Sequence, residues 1–205
     1  MENSSHFQIN DYLKPGRHAH LVGIGGVSMR PLGLVLRSMG MQISGSDMNA
    51  SVSTDELMAK GIAVSIGHRA ENIEGADCVI RTAAANNDNP EIAAARAAGI
   101  PIFERAQAWG YIMKAYRHAI CVSGTHGKTT TTSMLTQIFM EAGKDPTVMI
   151  GGSLPLLGAG HRVGQGDTII LESCEYCNSF LNFFPTTAVV LDIDADHLDF
   201  FKDLE

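Results

Sequence analysis

The stretch of the 205-residue chain with the clearest chemical potential is Ser123-Gly124-Thr125-His126-Gly127-Lys128-Thr129-Thr130. A strand-like run, HAICVSG, leads into it, and a helical pattern, TTTTSMLTQIFMEAG, leads out. Gly124 and Gly127 bracket a tight loop, where backbone N–H groups can turn inward with no Cβ in the way. Such donors, joined by the positive end of the following helix, make a phosphate cradle. Lys128 is expected to reach the β- and γ-phosphates of a nucleotide, and the Thr129 hydroxyl to ligate Mg²⁺. The earlier glycine of the full Walker A pattern is replaced by Val122, so the loop is a variant that keeps G-x-x-G-K-T. Kinases, ATPases and ligases all use such loops, and the motif does not choose among them.

Carboxylates follow the loop. Glu172 ends the strand-like GDTIILE, and Asp192, Asp194, Asp196, His197 and Asp199 crowd the end of TTAVVLDID. In open parallel sheets the carboxyl ends of strands face the ligand crevice. There Glu172 and His197 would hold Mg²⁺ beside ATP; the bland alternative is a solvated acidic turn. A second glycine turn, VGIGGVSM, carries Gly23, Gly25 and Gly26, with Asp47 roughly 20 residues on, where a ribose-binding carboxylate is expected. Ser28 replaces the third glycine of G-x-G-x-x-G, so the turn is either a diphosphate site or a packing turn. His68, just past a strand end, either contacts substrate or caps a turn. Arg105, after IPIFE, suits bidentate phosphate or carboxylate binding, or a surface ion pair.

The elements that must position these groups alternate. Strand-like runs HAHLVGIGG, MQISGSD, IAVSIG, ADCVIRTAA and IPIFE are separated by helical patterns, including NPEIAAARAAG with Asn89 as cap and Pro90 at its first position. This order predicts βαβ units and a Rossmann-like parallel sheet over residues 1–117, followed by an incomplete P-loop ATPase α/β domain over residues 118–205. With few strands after Arg117, the second domain is expected to be truncated. The formal charge of −7 and the scattered Lys and Arg residues argue against nucleic-acid and membrane-surface partners. No apolar run approaches the ~18 residues of a membrane span, and the N-terminus lacks a signal-peptide pattern, so a cytoplasmic location is expected. Cys78 and Cys121 read as reduced core residues; Cys174 and Cys177 form a C-x-x-C with no second ligand pair.

HLVGIGGVSM, SGSD, IGHRAENI, NPEIAAARAAGIPIFERA, SGTHGKTTTT and DIDADHLD occur in the order seen in Mur ligases, and the chain resembles that family from about His20 onward, most of all its alanine-adding group. The resemblance implies ATP-dependent joining of L-alanine to UDP-N-acetylmuramate, with ATP and Mg²⁺. It implies Gly25, Gly26, Asp47, His68, Thr82 and Arg105 in the UDP-sugar site. It places Gly124, Thr125, His126, Gly127, Lys128, Thr129 and Thr130 on ATP, and Thr129, Glu172 and His197 on Mg²⁺. Lys128, Glu172 and His197 would be catalytic, and the 205 residues by themselves would not be a competent ligase. Many alanine-adding enzymes have Asp-Glu-Ser-Asp where this chain has Cys174-Glu175-Tyr176-Cys177, which removes two carboxylates. The alternatives are a relative that attaches recycled peptide to the same sugar nucleotide, a UDP-sugar-binding module with a vestigial loop, and, more distantly, a thiol-based metal protein.

Overall fold

The computed structural model describes residues 7–173 and 176–194, the side chains of 176–178 excepted. The chain divides into two compact units between Ala108 and Trp109.

The first unit is built on β1 (His18–Val22), β2 (Gln42–Asp47), β3 (Ala63–Ile66), β4 (Cys78–Arg81) and β5 (Ile102–Glu104), interleaved with α1 (Met29–Ser38), α2 (Val52–Ala59) and α3 (Pro90–Ala97). All neighbouring strands are parallel, in the order β3-β2-β1-β4-β5. The strand order reverses between β1 and β4, which makes the mouth between them the switch point where such sheets take ligands. Local sequence chemistry starts the helices. Asn89 accepts from the N–H groups of Glu91 and Ile92 at the head of α3, and Ser51 and Thr54 form a capping box on α2. Val22, Val79, Ile73, Ile92 and Ala95 bury together between sheet and α3, while α1 buries Leu32, Val35 and Leu36.

Helix α4 (Arg105–Met113) spans the division between the units. The second unit holds β6 (His118–Ser123), α5 (Lys128–Glu141), β7 (Thr147–Leu154), β8 (Ala159–Arg162), β9 (Thr168–Glu172) and β10 (Thr187–Val190). Its sheet order is β10-β6-β9-β7-β8, parallel except for β8, which returns antiparallel along β7 after a 3-10 turn at Pro155–Leu157. Strand β8 was not expected. Its sequence, AGHR, has no β-branched residue, and its pairing is supplied by the hairpin partner β7. Ile120, Val148, Ile150 and Ile170 form the core of this sheet, with Leu135 and Phe139 of α5 against them.

Candidate functional site

In the second unit, β6 runs straight into the phosphate-type loop. Gly127 closes it with φ +79°, a left-handed conformation that a side chain would strain, and serves as N-cap of α5. No side chain caps this helix, so its first-turn N–H groups face out of the loop as an anion site. Lys128 folds across the loop, its Nζ donating to the carbonyls of Gly124 at 2.5 Å and Thr125 at 3.2 Å. Thr129 and Thr130 are exposed on the first turn. The segment after β10 ties down the other side: Asp192 Oδ1 accepts from the His126 N–H at 3.0 Å, and its carbonyl accepts from the Thr125 N–H at 3.3 Å.

Glu172, at the carboxyl end of β9, meets this loop. Thr129 Oγ1 lies 3.1 and 3.0 Å from the two Glu172 carboxylate oxygens, and the Gly151 N–H of β7 donates to Oε2 at 2.7 Å. A Cβ on Gly151 would come within 2.7 Å of Oε1, so glycine there makes room for the carboxylate. One hydroxyl and one carboxylate, both hard oxygen donors beside an anion cradle, fit Mg²⁺, which keeps water and phosphate oxygens for its remaining positions. Among the described residues no group of three or more His, Cys, Asp or Glu side chains could hold a metal by itself. His197, Cys174, Asp196 and Asp199 lie outside the described residues, as does the side chain of Cys177.

In the first unit the glycine turn follows β1 at the switch point. The Gly23 N–H and the Ile24 N–H both donate to the Ser46 carbonyl, and Gly26 closes the turn onto the Gly23 carbonyl at 3.1 Å. Asp47, the last residue of β2, accepts from the Gly25 N–H at 2.9 Å. Thr82, just past β4, packs so closely that a Cβ on Gly23 would lie 2.8 Å from its methyl. Arg105, just past β5, donates to the Ser28 hydroxyl at the head of α1. His68, two residues past β3, approaches Ser46 Oγ at 3.0 Å. The expected residues of this site therefore collect along one carboxyl edge of one sheet, each from a different strand end.

Sequence reasoning missed the polar cluster beneath that edge. Glu91 in the first turn of α3 is fully buried, and so are Ser46 and, within 1%, His20. Burial pushes the Glu91 pKa up, but donors of His20, Ser46 and Asn72 outweigh it and hold it down to about 2. The only sequence signal was Glu91 following Asn89-Pro90, which reads as an acid favouring a helix N-terminus and says nothing of burial.

Residues 18–117 match the family model described as the Mur ligase family, catalytic domain, and residues 122–205 the one described as the Mur ligase middle domain. The chain belongs to the Mur ligase family. Among curated relatives it is 48% identical over 196 residues to a UDP-N-acetylmuramate–L-alanine ligase of Clostridium botulinum, covering 95% of this chain and 43% of that protein. It is 51% identical to the ligase of the same name from Agathobacter rectalis, over 95% of this chain and 42% of the relative. Among solved structures, UDP-N-acetylmuramate-alanine ligase of Thermotoga maritima superposes with a TM-score of 0.82 at 33% identity, over 89% of this chain and 43% of that one. A UDP-N-acetylmuramate:L-alanyl-gamma-D-glutamyl-meso-diaminopimelate ligase from Neisseria meningitides gives a TM-score of 0.82 at 27% identity, over 92% and 64%. The chain thus spans less than half the length of the curated relatives it matches. Among the described residues no helix is long and apolar enough to cross a membrane.

Proposed function

We propose that the protein serves as an ATP-dependent amide ligase that joins L-alanine to the carboxylate of UDP-N-acetylmuramate, a cytoplasmic step in peptidoglycan synthesis. Residues 1–117 bind the sugar nucleotide and residues 118–205 the ATP phosphates. The observation that carries the reading is the Thr129–Glu172 pair set beside the open N-terminus of α5. The names borne by relatives about half identical to the chain support it.

The chemistry assigned is phosphoryl transfer followed by acyl transfer. The muramoyl carboxylate attacks the γ-phosphorus of ATP, the bond to the β-phosphate oxygen breaks, and an acyl phosphate and ADP result. The alanine amine then attacks the acyl carbon, loses a proton and expels inorganic phosphate. The first-turn amides of α5 and Lys128 orient the γ-phosphate and offset its charge, so their contribution is positioning and electrostatics. Lys128 Nζ, which donates to the carbonyls of Gly124 and Thr125, lies at the loop it serves. Thr129 and Glu172 would hold Mg²⁺, which would neutralise phosphate charge, with His197 a further ligand by resemblance. In the first unit Gly25, Gly26 and Arg105 take the diphosphate, Asp47 the ribose hydroxyls, and Thr82 and His68 complete the pocket edge.

Because the relatives are more than twice as long, the first test reads binding. Isothermal titration of the chain should show saturable heat with Mg-ATP and, separately, with UDP-N-acetylmuramate. Absence of heat with Mg-ATP would turn the reading into a sugar-nucleotide module with a vestigial loop. The Neisseria meningitides structure is as similar in fold, so the second test offers L-alanine and the tripeptide in competition to a full-length relative. Phosphate release that depends on L-alanine supports the proposal, and release that depends only on the tripeptide overturns it.

A further inference from the structure

The cluster around Glu91 contains enough donors and acceptors to fix where the protons of Ser46 and His68 lie. Glu91 Oε2 receives the Ser46 hydroxyl at 2.6 Å, and Oε1 receives Asn72 Nδ2 at 2.5 Å. His20 Nε2 faces Oε2 at 3.6 Å. A carboxylate in such company is ionised and can only accept. The one proton of Ser46 is committed to it, so Ser46 Oγ can only accept from His68 Nδ1, 3.0 Å away. Glu91 Oε2 is the other oxygen near that nitrogen, at 3.3 Å, and it too only accepts. His68 Nδ1 must therefore carry hydrogen, and in the neutral ring Nε2 is left as a bare acceptor. Nε2 has no hydrogen-bond partner among the described residues, and the His68 side chain keeps 13% of its surface exposed. The preceding Gly67 N–H donates to the Asp47 carbonyl at 2.8 Å, which fixes His68 to the ligand edge of the sheet.

We propose that Glu91 is a positioning residue that locks His68, directly and through Ser46, in the Nδ1–H tautomer, so that Nε2 accepts a hydrogen bond from an N–H or O–H group of the bound sugar nucleotide. A lone pair at that spot repels phosphate oxygens, which leaves the diphosphate to the head of α1 and Arg105. The site so divided favours a ligand that places a donor, from base, ribose or sugar, beside His68. The ligand half of this proposal rests on the reading of the first unit as a UDP-sugar site.

Long-range ¹H–¹⁵N spectra of the 205-residue chain test the lock, with the ring nitrogens assigned by their loss in His68→Gln. The expected wild-type pattern is a protonated Nδ1 and a bare Nε2; a protonated, neutral-ring Nε2 overturns the proposal with no variant of Glu91 needed. In Glu91→Gln the new amide can donate to Ser46, and the pattern should shift toward Nε2–H. Titration with UDP-N-acetylmuramate should then show about three- to tenfold weaker binding, the worth of one hydrogen bond. In the His68→Gln background, where the amide oxygen accepts without help from Glu91, the same change should cost less than about twofold. Equal losses in both backgrounds would mark Glu91 as merely structural and overturn the proposal. Wild-type protein with the expected ring pattern but no affinity for UDP-N-acetylmuramate would instead overturn the sugar-nucleotide reading, and the ligand half with it.

Discussion

Gly151→Ala isolates the geometry of the Glu172 carboxylate without removing a charge. Gly151 is exposed on β7 and has no left-handed φ, so alanine suits its backbone. The added Cβ would stand 2.7 Å from Glu172 Oε1 and 3.0 Å from Oε2. To reach the 3.4 Å of ordinary contact, the carboxylate must retreat by about 0.7 Å, and as the end of a flexible side chain it can do so without disturbing the fold. That retreat is about three times the ~0.2 Å latitude of metal–ligand distances. Mg²⁺, with its demand for near-ideal octahedral geometry, has little slack to absorb it. Displacing a supporting group of a metal site typically costs about 10- to 100-fold in affinity. Titration of ATP with and without Mg²⁺ is the assay. Gly151→Ala should bind Mg-ATP about tenfold more weakly and bind ATP in chelator as the wild type does. If Gly151→Ala keeps the wild-type Mg²⁺ dependence, Glu172 has no part in metal binding and the reasoning fails.

Lys128→Met removes the Nζ that donates to the Gly124 and Thr125 carbonyls and should reduce ATP affinity by about tenfold or more, the worth of charge-assisted hydrogen bonds, as titration with Mg-ATP would show. Glu91 is held from its ordinary 4.5 down to about 2, a contribution on the order of 3 kcal/mol to stability. The folded pKa is the lower one, so this contribution is complete above pH 4.5 and disappears as the pH falls toward 2. In urea unfolding followed by hydrogen exchange of β1 and β4, the gap between wild type and Glu91→Gln should narrow steadily on acidification; a constant gap contradicts the assignment. Burial pushes the Cys78 and Cys121 thiols up to about 12, so iodoacetamide at neutral pH should leave both unlabelled in the native chain, as peptide mapping would show.

Much of the architecture is legible because the relevant signals are local. Asn89-Pro90 starts α3 where its cap chemistry says it should, and the apolar runs IILE and CVIR become central strands because both faces of a parallel sheet are covered. The glycine loops announce themselves through residues that must lie together in sequence. The Glu91 cluster had no such signature. It joins residues of β1, β2, the segment after β3 and α3, up to 71 positions apart, from His20 to Glu91, and each reads locally as something ordinary. Strand β8 was hidden for a related reason, since its pairing comes from its neighbour and hardly from its own residues. For Lys128 the sequence supplies reach and charge, while the resting place on the carbonyls of Gly124 and Thr125 follows from loop curvature.

Each unit solves the same electrostatic problem in the same way. A glycine turn that aims N–H groups inward creates a concentration of positive dipole, and such a turn collapses or frays unless something answers it. In the first unit Asp47, at the end of the strand next to β1, accepts from Gly25; in the second Asp192, two residues past the strand next to β6, accepts from His126. Each carboxylate takes only part of the turn. The first-turn amides of α5 remain uncapped, and so does the side-chain cap position at Ser28, whose hydroxyl is turned to Arg105. An internal anion therefore holds the turn in shape while leaving the helix end for an external one. Repulsion between the two negative groups then confines a phosphate to the helix side of the turn and away from the strand side. A cradle arranged like this needs little reorganisation when the ligand arrives, which is the condition under which fixed dipoles contribute most to binding and to the stabilisation of developing charge.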